Sequence, residues 1–455
     1  ISEKLVNKWV KNLSKNPHLH DKIEFEVAIT IYSFDIDEKL QSLVGDELSV
    51  EEKRTYKECI RAHSVELIEG KNDGSINKAM ERIDFLSNKQ KTYQDLIEST
   101  NLEHLPKLIE DCVNYGTIPF SILARHGFIA KTLLGSLEKN KILTKEEVSN
   151  LENSIETIAG ELVNDLDKCA NSKISKNNFM KKYGHLRPGT YDIQSPRYDQ
   201  MVGFFSSIES AKESIGNLKK FDFSDSQKIA INNLFKSIGS EFDSNKFYEY
   251  VKKAIAGREY GKFIFTKSIS TILELISKFG EQNGLSREDL SYIDIDDILS
   301  FNKSTINKEE KKSLASIIDF NRSKNILGST IRLPQILFDT AGVYVVPFQV
   351  AQPNFITLKS ATLDAVFLKT REYKINLKNK IVLIESADPG FDWIFGNSIG
   401  GLITKYGGAN SHMAIRCAEF GIPAAIGCGE QRFETLKKAK KITLDCSSAI
   451  LQKYE

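Results

Sequence analysis

Between Pro196 and Pro334 the chain carries no proline. Proline removes an amide donor and clashes with the preceding helical turn, so so long a stretch without it leaves room for long helices. We read Ser206 to Phe320 as mostly helical, with short turns such as Gly280 to Gly284. Upstream, Val148, Leu151, Ile155, Ile158, Leu162, Leu166 and Cys169 repeat at steps of three and four, which predicts one helix with one buried face. Ser49 with Glu52, Thr144 with Glu147, and Ser286 with Asp289 have the spacing of capping boxes and mark helix starts.

Glycine usage then shifts. Nine of the 27 glycines lie from Arg371 onward, where short β-rich runs (KIVLIE, GGLIT, PAAIG, KITLD) alternate with DPGFDWIF, SHMAIRCAEF and EQRFETLKKA. The expected fold class is multidomain: a mostly α-helical domain over residues 1–350, a linker over 351–377, and a small α/β domain over 378–455. The 455 residues suffice for two or three domains with their own cores. With 62 Lys+Arg against 61 Asp+Glu the chain has no global pull toward nucleic acid, so none is expected as a partner. No apolar run approaches the ~18 residues that cross a bilayer, so no membrane association is expected. The six cysteines form no CxxC pair, which fits reduced thiols and a cytoplasmic location. The first residues, ISEKLVNKWVKNL, already read as an amphipathic helix, and the chain reads as a fragment.

The string from Gly400 to Gly427, GGLITKYGGANSHMAIRCAEFGIPAAIG, carries the chemistry. A strand ending at Thr404 leads into Gly407 and Gly408, and Asn410 or Ser411 caps a helix whose first turn carries His412. A helix N-terminus offers free amide donors and a dipole that favours anions. A phosphate on His412 would therefore be held by the main chain and by the Thr404 and Ser411 hydroxyls. The same dipole is expected to disfavour imidazolium and leave a lone pair for attack on phosphorus. No second His or Cys lies at ligand spacing, and the nearest acid, Glu419, is seven residues on, so no metal is expected here.

This string resembles the swivelling phosphohistidine domain of enzymes related to phosphoenolpyruvate synthase and pyruvate phosphate dikinase, with the pattern T-x-x-G-G-x-x-S-H-x-A-I-x-x-R-E-[FY]-G-I-P-A. Thr404, Gly407, Gly408, Ser411, His412, Ala414, Ile415, Glu419, Phe420, Gly421, Ile422, Pro423 and Ala424 match it. Ala418 stands where the family has Arg, and Arg416, two residues earlier, is the candidate to take its place at the phosphate. Asn16 to Ala28, Asn114 to Ala130, Tyr183 to Asp199 and Arg258 to Ser270 resemble the helical region of the branch that includes rifampin phosphotransferase and glutamine kinase. The resemblance implies a phosphoryl relay from ATP through His412 to a small-molecule acceptor, an amide such as L-glutamine or else a rifampin-like antibiotic. It implies an N-terminally truncated acceptor domain, a hinge between about Pro353 and Lys380, and ATP and Mg2+ bound by an ATP-grasp domain in cis, outside this chain. A (β/α)8 barrel for pyruvate is not expected, since about 28 residues follow Gly427 in this chain where a barrel takes ~250. A non-catalytic phosphocarrier is the third reading.

The acceptor site is expected on two segments. In Tyr183 to Asp199, Arg187 and Arg197 could clamp a phosphoryl group while His185 or Asp192 acts as base. Arg125 and His126, beside Gly127 on an apolar helix, could line the pocket. Arg258, Glu259 and Lys262 read more simply as a solvated or salt-bridged helix face.

Overall fold

The computed structural model describes residues 1–20, 22–70, 74–93, 102–201, 204–206, 221–301, 306–331, 333–334, 336–344, 351–369, 375–409 and 411–454. Among them, no helix is long and apolar enough to cross a membrane, and the six cysteines are free thiols.

Helices dominate up to Thr330. The longest, Ser244–Asn283, spans 40 residues. Asp243 caps its start by accepting from the Lys246 amide, and Gly284, with φ +75°, turns the chain away at its end. Gly280 thus lies inside the helix, and the expected turn begins only at Gly284. Ser75–Lys89, Leu105–Cys112 and Ile118–Lys139 pack along this central helix, and Phe247, Val251, Ile264, Phe265 and Leu275 are buried among Ile83, Leu123, Leu133 and Leu137. Each such side chain contributes about 1.5–3 kcal/mol by leaving water.

The periodic run from Val148 to Cys169 is two helices, Lys145–Asn153 and Ile158–Ala170. The Thr157 hydroxyl accepts from the Gly160 amide and starts the second helix, a cap that the hydrophobic period alone does not reveal. The three expected capping boxes at Ser49, Thr144 and Ser286 are all present. Of the expected helical span from Ser206, residues 207–220 and 302–305 lie outside the described residues.

The C-terminal domain is built on a seven-stranded sheet in the order β1-β5-β4-β3-β2-β6-β7. The strands are β1 (Asn354–Ile356), β2 (Ser360–Phe367), β3 (Ile381–Ser386), β4 (Gly401–Tyr406), β5 (Ala424–Ile426), β6 (Lys441–Asp445) and β7 (Ile450–Tyr454). β2 to β5 run parallel, and the outer pairs are antiparallel. β3, β4 and β5 are buried along almost their whole length, as parallel strands covered on both faces must be. Residues 351–377, expected as a linker, supply β1 and β2. A pivot within 354–367 would break their pairing with β5, β3 and β6, so the expected hinge does not fall there. Within the rest of that segment, residues 370–374 lie outside the described residues.

Alternation along the strands separates two layers. Ile381, Leu383 and Ile403 face Phe433, Leu436, Ile442 and Leu444. Val382, Ile384 and Leu402 face Met413, Cys417, Trp393 and Ile394, and this layer is continuous with Leu162, Leu166, Phe179, Tyr183 and Tyr198 of the helical part. The two parts therefore share a core.

Candidate functional site

His412 opens the short helix His412–Glu419, which the side chain of Ser411 caps by accepting from the Ala414 amide at 3.3 Å. Asn410, the other candidate cap, lies outside the described residues. The ring is buried where this helix meets the central helix, and both nitrogens face carboxylates. Nδ1 lies 2.7 Å from Oε2 of Glu259 on the central helix. Nε2 lies 2.7 Å from Oδ2 and 2.9 Å from Oδ1 of Asp392, in the segment Pro389–Asn397 of its own domain. Burial works to lower the pKa of His412, but Asp392 and Glu259 outweigh it and push the value up to about 9. The carboxyl of Glu259 is opposed by its own burial, and the charge of His412 still holds it well below the usual range.

The expected neutral ring is thereby corrected. A helix end acts as about half a charge and is worth ~0.3–1 kcal/mol, whereas an opposite charge at contact distance moves a pKa by about 1–3 units. Two carboxylates at 2.7 Å therefore decide the matter, and the ring is an imidazolium that donates one N–H to each.

Residues 376–449 match the mobile domain of PEP-utilising enzymes.

The match covers β3 to β6, the glycine loop and His412, and it supports phosphohistidine-based phosphotransfer. No curated protein matches the chain.

In the mobile domain the glycine loop has a plain steric basis. Gly407 and Gly427 have φ of +129° and +76°, and a Cβ on Gly427 would sit 2.3 Å from the Gly407 carbonyl oxygen. Gly408 accepts from the Ser411 amide at 3.0 Å, and the Thr404 hydroxyl accepts from the Gly427 amide at 2.9 Å. The Thr404 and Ser411 oxygens are thus engaged by amides, each keeping its own proton to donate. Arg416 does not face His412 as a phosphate ligand. Its guanidinium pairs with Glu419 and donates to Thr157 Oγ1 at 3.1 Å, which ties the mobile domain to the start of helix Ile158–Ala170.

A cleft runs beside His412 and Asp392, lined by Glu259, Lys262, Phe263 and Thr266 of the central helix, by Ile158, Ala159 and Leu162, and by Leu186 and Thr190. Burial lowers the pKa of the Lys262 ammonium, opposed by Asp388 and Glu259. Among the described residues no group of three or more His, Cys, Asp or Glu side chains is placed to hold a metal ion.

The six residues expected to bind the acceptor do not converge on this cleft. Arg125 donates to the Thr30 carbonyl at 3.0 Å. His126 is hydrogen-bonded through Nε2 to Ser75 at 2.8 Å and through Nδ1 to Tyr250 at 3.0 Å, and burial, with Arg125 adding to it, lowers its pKa to about 4. Arg187 is buried against Glu274 at 2.9 Å and also donates to Ser270 and to the carbonyls of Asp192 and Ser195. Asp192 caps its own turn by accepting from Gln194 N at 2.9 Å, and Arg197 forms a two-pronged pair with Asp199. His185 is buried edge-on to Phe263. Neither of its ring nitrogens has a partner at hydrogen-bond geometry. Burial holds its pKa well below the ordinary value, although the Lys182 and Phe263 carbonyls pull weakly the other way. Arginines among glycines and prolines here brace a loop.

The sequence reading of Glu259 as part of a solvated or salt-bridged helix face is corrected, since it is buried against His412, and Asp392 was not singled out. A signal for Glu259 exists: Glu259, Thr266, Ser270 and Glu274 recur on one face of a helix that is otherwise apolar, and such a polar stripe must meet polar partners. Asp392 lies among Phe391, Trp393 and Ile394, where a carboxylate is costly to bury without a cation.

Proposed function

We propose that the chain is the acceptor and phosphohistidine portion of a phosphotransferase in which His412 delivers a phosphoryl group to a small molecule in the cleft beside it. The observation that carries this reading is the position of His412, which stands between a carboxylate of its own domain and one of the central helix and lines that cleft. In the arrangement described, both ring nitrogens are protonated and neither can attack phosphorus. Loading therefore belongs to another placement of the mobile domain, and the docked placement is that of delivery, with the ring as it stands once the phosphoryl group has left.

During transfer the bond from the ring nitrogen to phosphorus breaks as a bond to the acceptor forms. The acceptor's proton passes to Glu259 and from there to the released ring nitrogen, which restores the imidazolium. Lys262 faces the charge that builds on the phosphoryl oxygens.

In this reading the donor is ATP with Mg2+, bound by an ATP-grasp domain in cis. The acceptor is small and polar, an amide such as L-glutamine, and a rifampin-like antibiotic is the alternative. The test is to present the phosphorylated intact protein with either compound. Label moving to L-glutamine supports the amide reading, label moving to rifampin replaces it, and stable phosphohistidine with both compounds contradicts both acceptors.

A further inference from the structure

The loop that sequence analysis assigned to the acceptor has a different partner. The Thr190 hydroxyl donates to Asp388 Oδ1 at 2.6 Å, and the Thr190 amide faces Oδ2 at 3.4 Å. The Tyr198 hydroxyl donates to the Gly390 carbonyl at 2.7 Å. These contacts join the helical part to the turn that opens the segment Pro389–Asn397 of the mobile domain.

At Gly390 the two backbones come into close contact. A Cβ there would lie 1.6 Å from the Arg187 carbonyl oxygen and 2.7 Å from Pro188 Cα. Its φ is not positive, so nothing in the local conformation of the mobile domain demands a glycine. The approach of the loop does. The loop is held rigid from behind, because the buried Arg187 guanidinium binds the Asp192 and Ser195 carbonyls, Ser270 and Glu274, and Glu274 is itself paired with Arg287 at 2.9 Å. The gripped turn is also chemically placed. Asp388 accepts from the Gly390 amide at 2.8 Å, and Asp392, one turn further on, holds His412 Nε2.

We infer that the loop from Arg187 to Tyr198 is a docking cradle for the Asp388–Gly390 turn, and that Thr190, Tyr198 and Gly390 are positioning residues that set His412 against Glu259 for delivery. This rests on the reading of His412 as a phosphoryl carrier on a domain that moves. The cradle fixes where the domain stops, and Arg187 serves to hold the carbonyl against which Gly390 seats.

The experiment uses the intact protein and phosphoramidate, which phosphorylates an accessible imidazole as its own P–N bond breaks and ammonia leaves. In the docked placement both nitrogens of His412 are covered, so the labelling rate reads the undocked fraction. Thr190→Val removes a hydrogen bond to a carboxylate and should label His412 about fivefold faster, with Thr190→Ser restoring the wild-type rate. Gly390→Ala should label about tenfold faster or more, since a methyl group has no room at the contact. Docking is read independently by the fluorescence of Trp393, which lies in the core shared by the two parts, in a Trp9→Phe background. Should Gly390→Ala unfold the mobile domain, Thr190→Val decides. Wild-type labelling and wild-type Trp393 emission in Thr190→Val would overturn the cradle. Labelling by phosphoramidate needs no relay, so loss of the relay reading would leave this result standing, and loss of the cradle would leave the relay open.

Discussion

Glu259→Gln removes one of the two charges that hold His412 as an imidazolium while keeping the shape of the side chain. In the docked protein the pKa of His412 stands at about 9 against an ordinary 6.5. That difference, at 1.36 kcal/mol per unit, favours the charged ring by about 3 kcal/mol after burial has taken its share. Asp392 contributes more than Glu259, so the variant should keep the larger part of the attraction and all of the burial. One contact carboxylate is worth about 1–3 units, which brings His412 in Glu259→Gln to between about 6 and 8. The assay is a pH titration of the His412 ring nitrogens by 15N NMR, with His412→Gln spectra to assign the resonances. Docking should weaken in parallel, by about 2 kcal/mol, because the ion pair forms only when the domains meet. A His412 pKa that stays near 9 in Glu259→Gln would refute the reasoning, since the central helix would then contribute nothing to the charge on the ring.

Docking should depend on pH with a definite sign. Glu259, which His412 meets only on docking, helps to raise the ring, so this contribution to docking is present while the ring is charged and is lost as pH rises through about 9. Glu259 is depressed, so its contribution is present above its ordinary 4.5 and is lost only as pH falls toward the lowered value; Trp393 fluorescence should therefore report the tightest docking between these limits, and a maximum at alkaline pH would contradict the ion pairs. Arg187→Ala should destabilise the protein by about 3–5 kcal/mol in urea unfolding, because it leaves Glu274 buried with Arg287 alone. Wild-type stability with lost transfer would return Arg187 to the acceptor site. Gly427→Ala should cost the mobile domain about 2 kcal/mol or more, since φ is +76° and the new methyl would meet the Gly407 carbonyl; an unchanged melting temperature would show that the loop is not packed as described.

The parts legible in the sequence are those set by local chemistry. Ser49, Thr144 and Ser286 announce helix starts because a cap and its partner lie three residues apart, and the alternation of KIVLIE, GGLIT and PAAIG with short helical runs announces an α/β domain. The glycine loop is legible because positive φ leaves few residue choices, and His412 is legible through the resemblance of the whole string from Gly400 to Gly427 to a phosphohistidine domain. What escaped depends on elements distant in the chain. Glu259 and His412 are 153 positions apart, and only the packing of the central helix against the mobile domain turns an unremarkable glutamate into a partner of the ring. Arg187 was misread for the same reason: its glycine- and proline-rich surroundings suit an exposed binding loop as well as a brace, and Glu274, which decides between them, lies 87 positions on. The neutral histidine was expected from the helix end alone, which is the one electrostatic feature visible without tertiary structure.

The central claim is that His412 carries the phosphoryl group. It is tested most directly by incubating the intact protein with [γ-32P]- or [β-32P]ATP and magnesium, then mapping the labelled residue by mass spectrometry under alkaline conditions. The account predicts an acid-labile, base-stable label on His412 that disappears in His412→Ala and is discharged when acceptor is added. Acid-labile label that persists in His412→Ala, or that maps to another histidine, would contradict it.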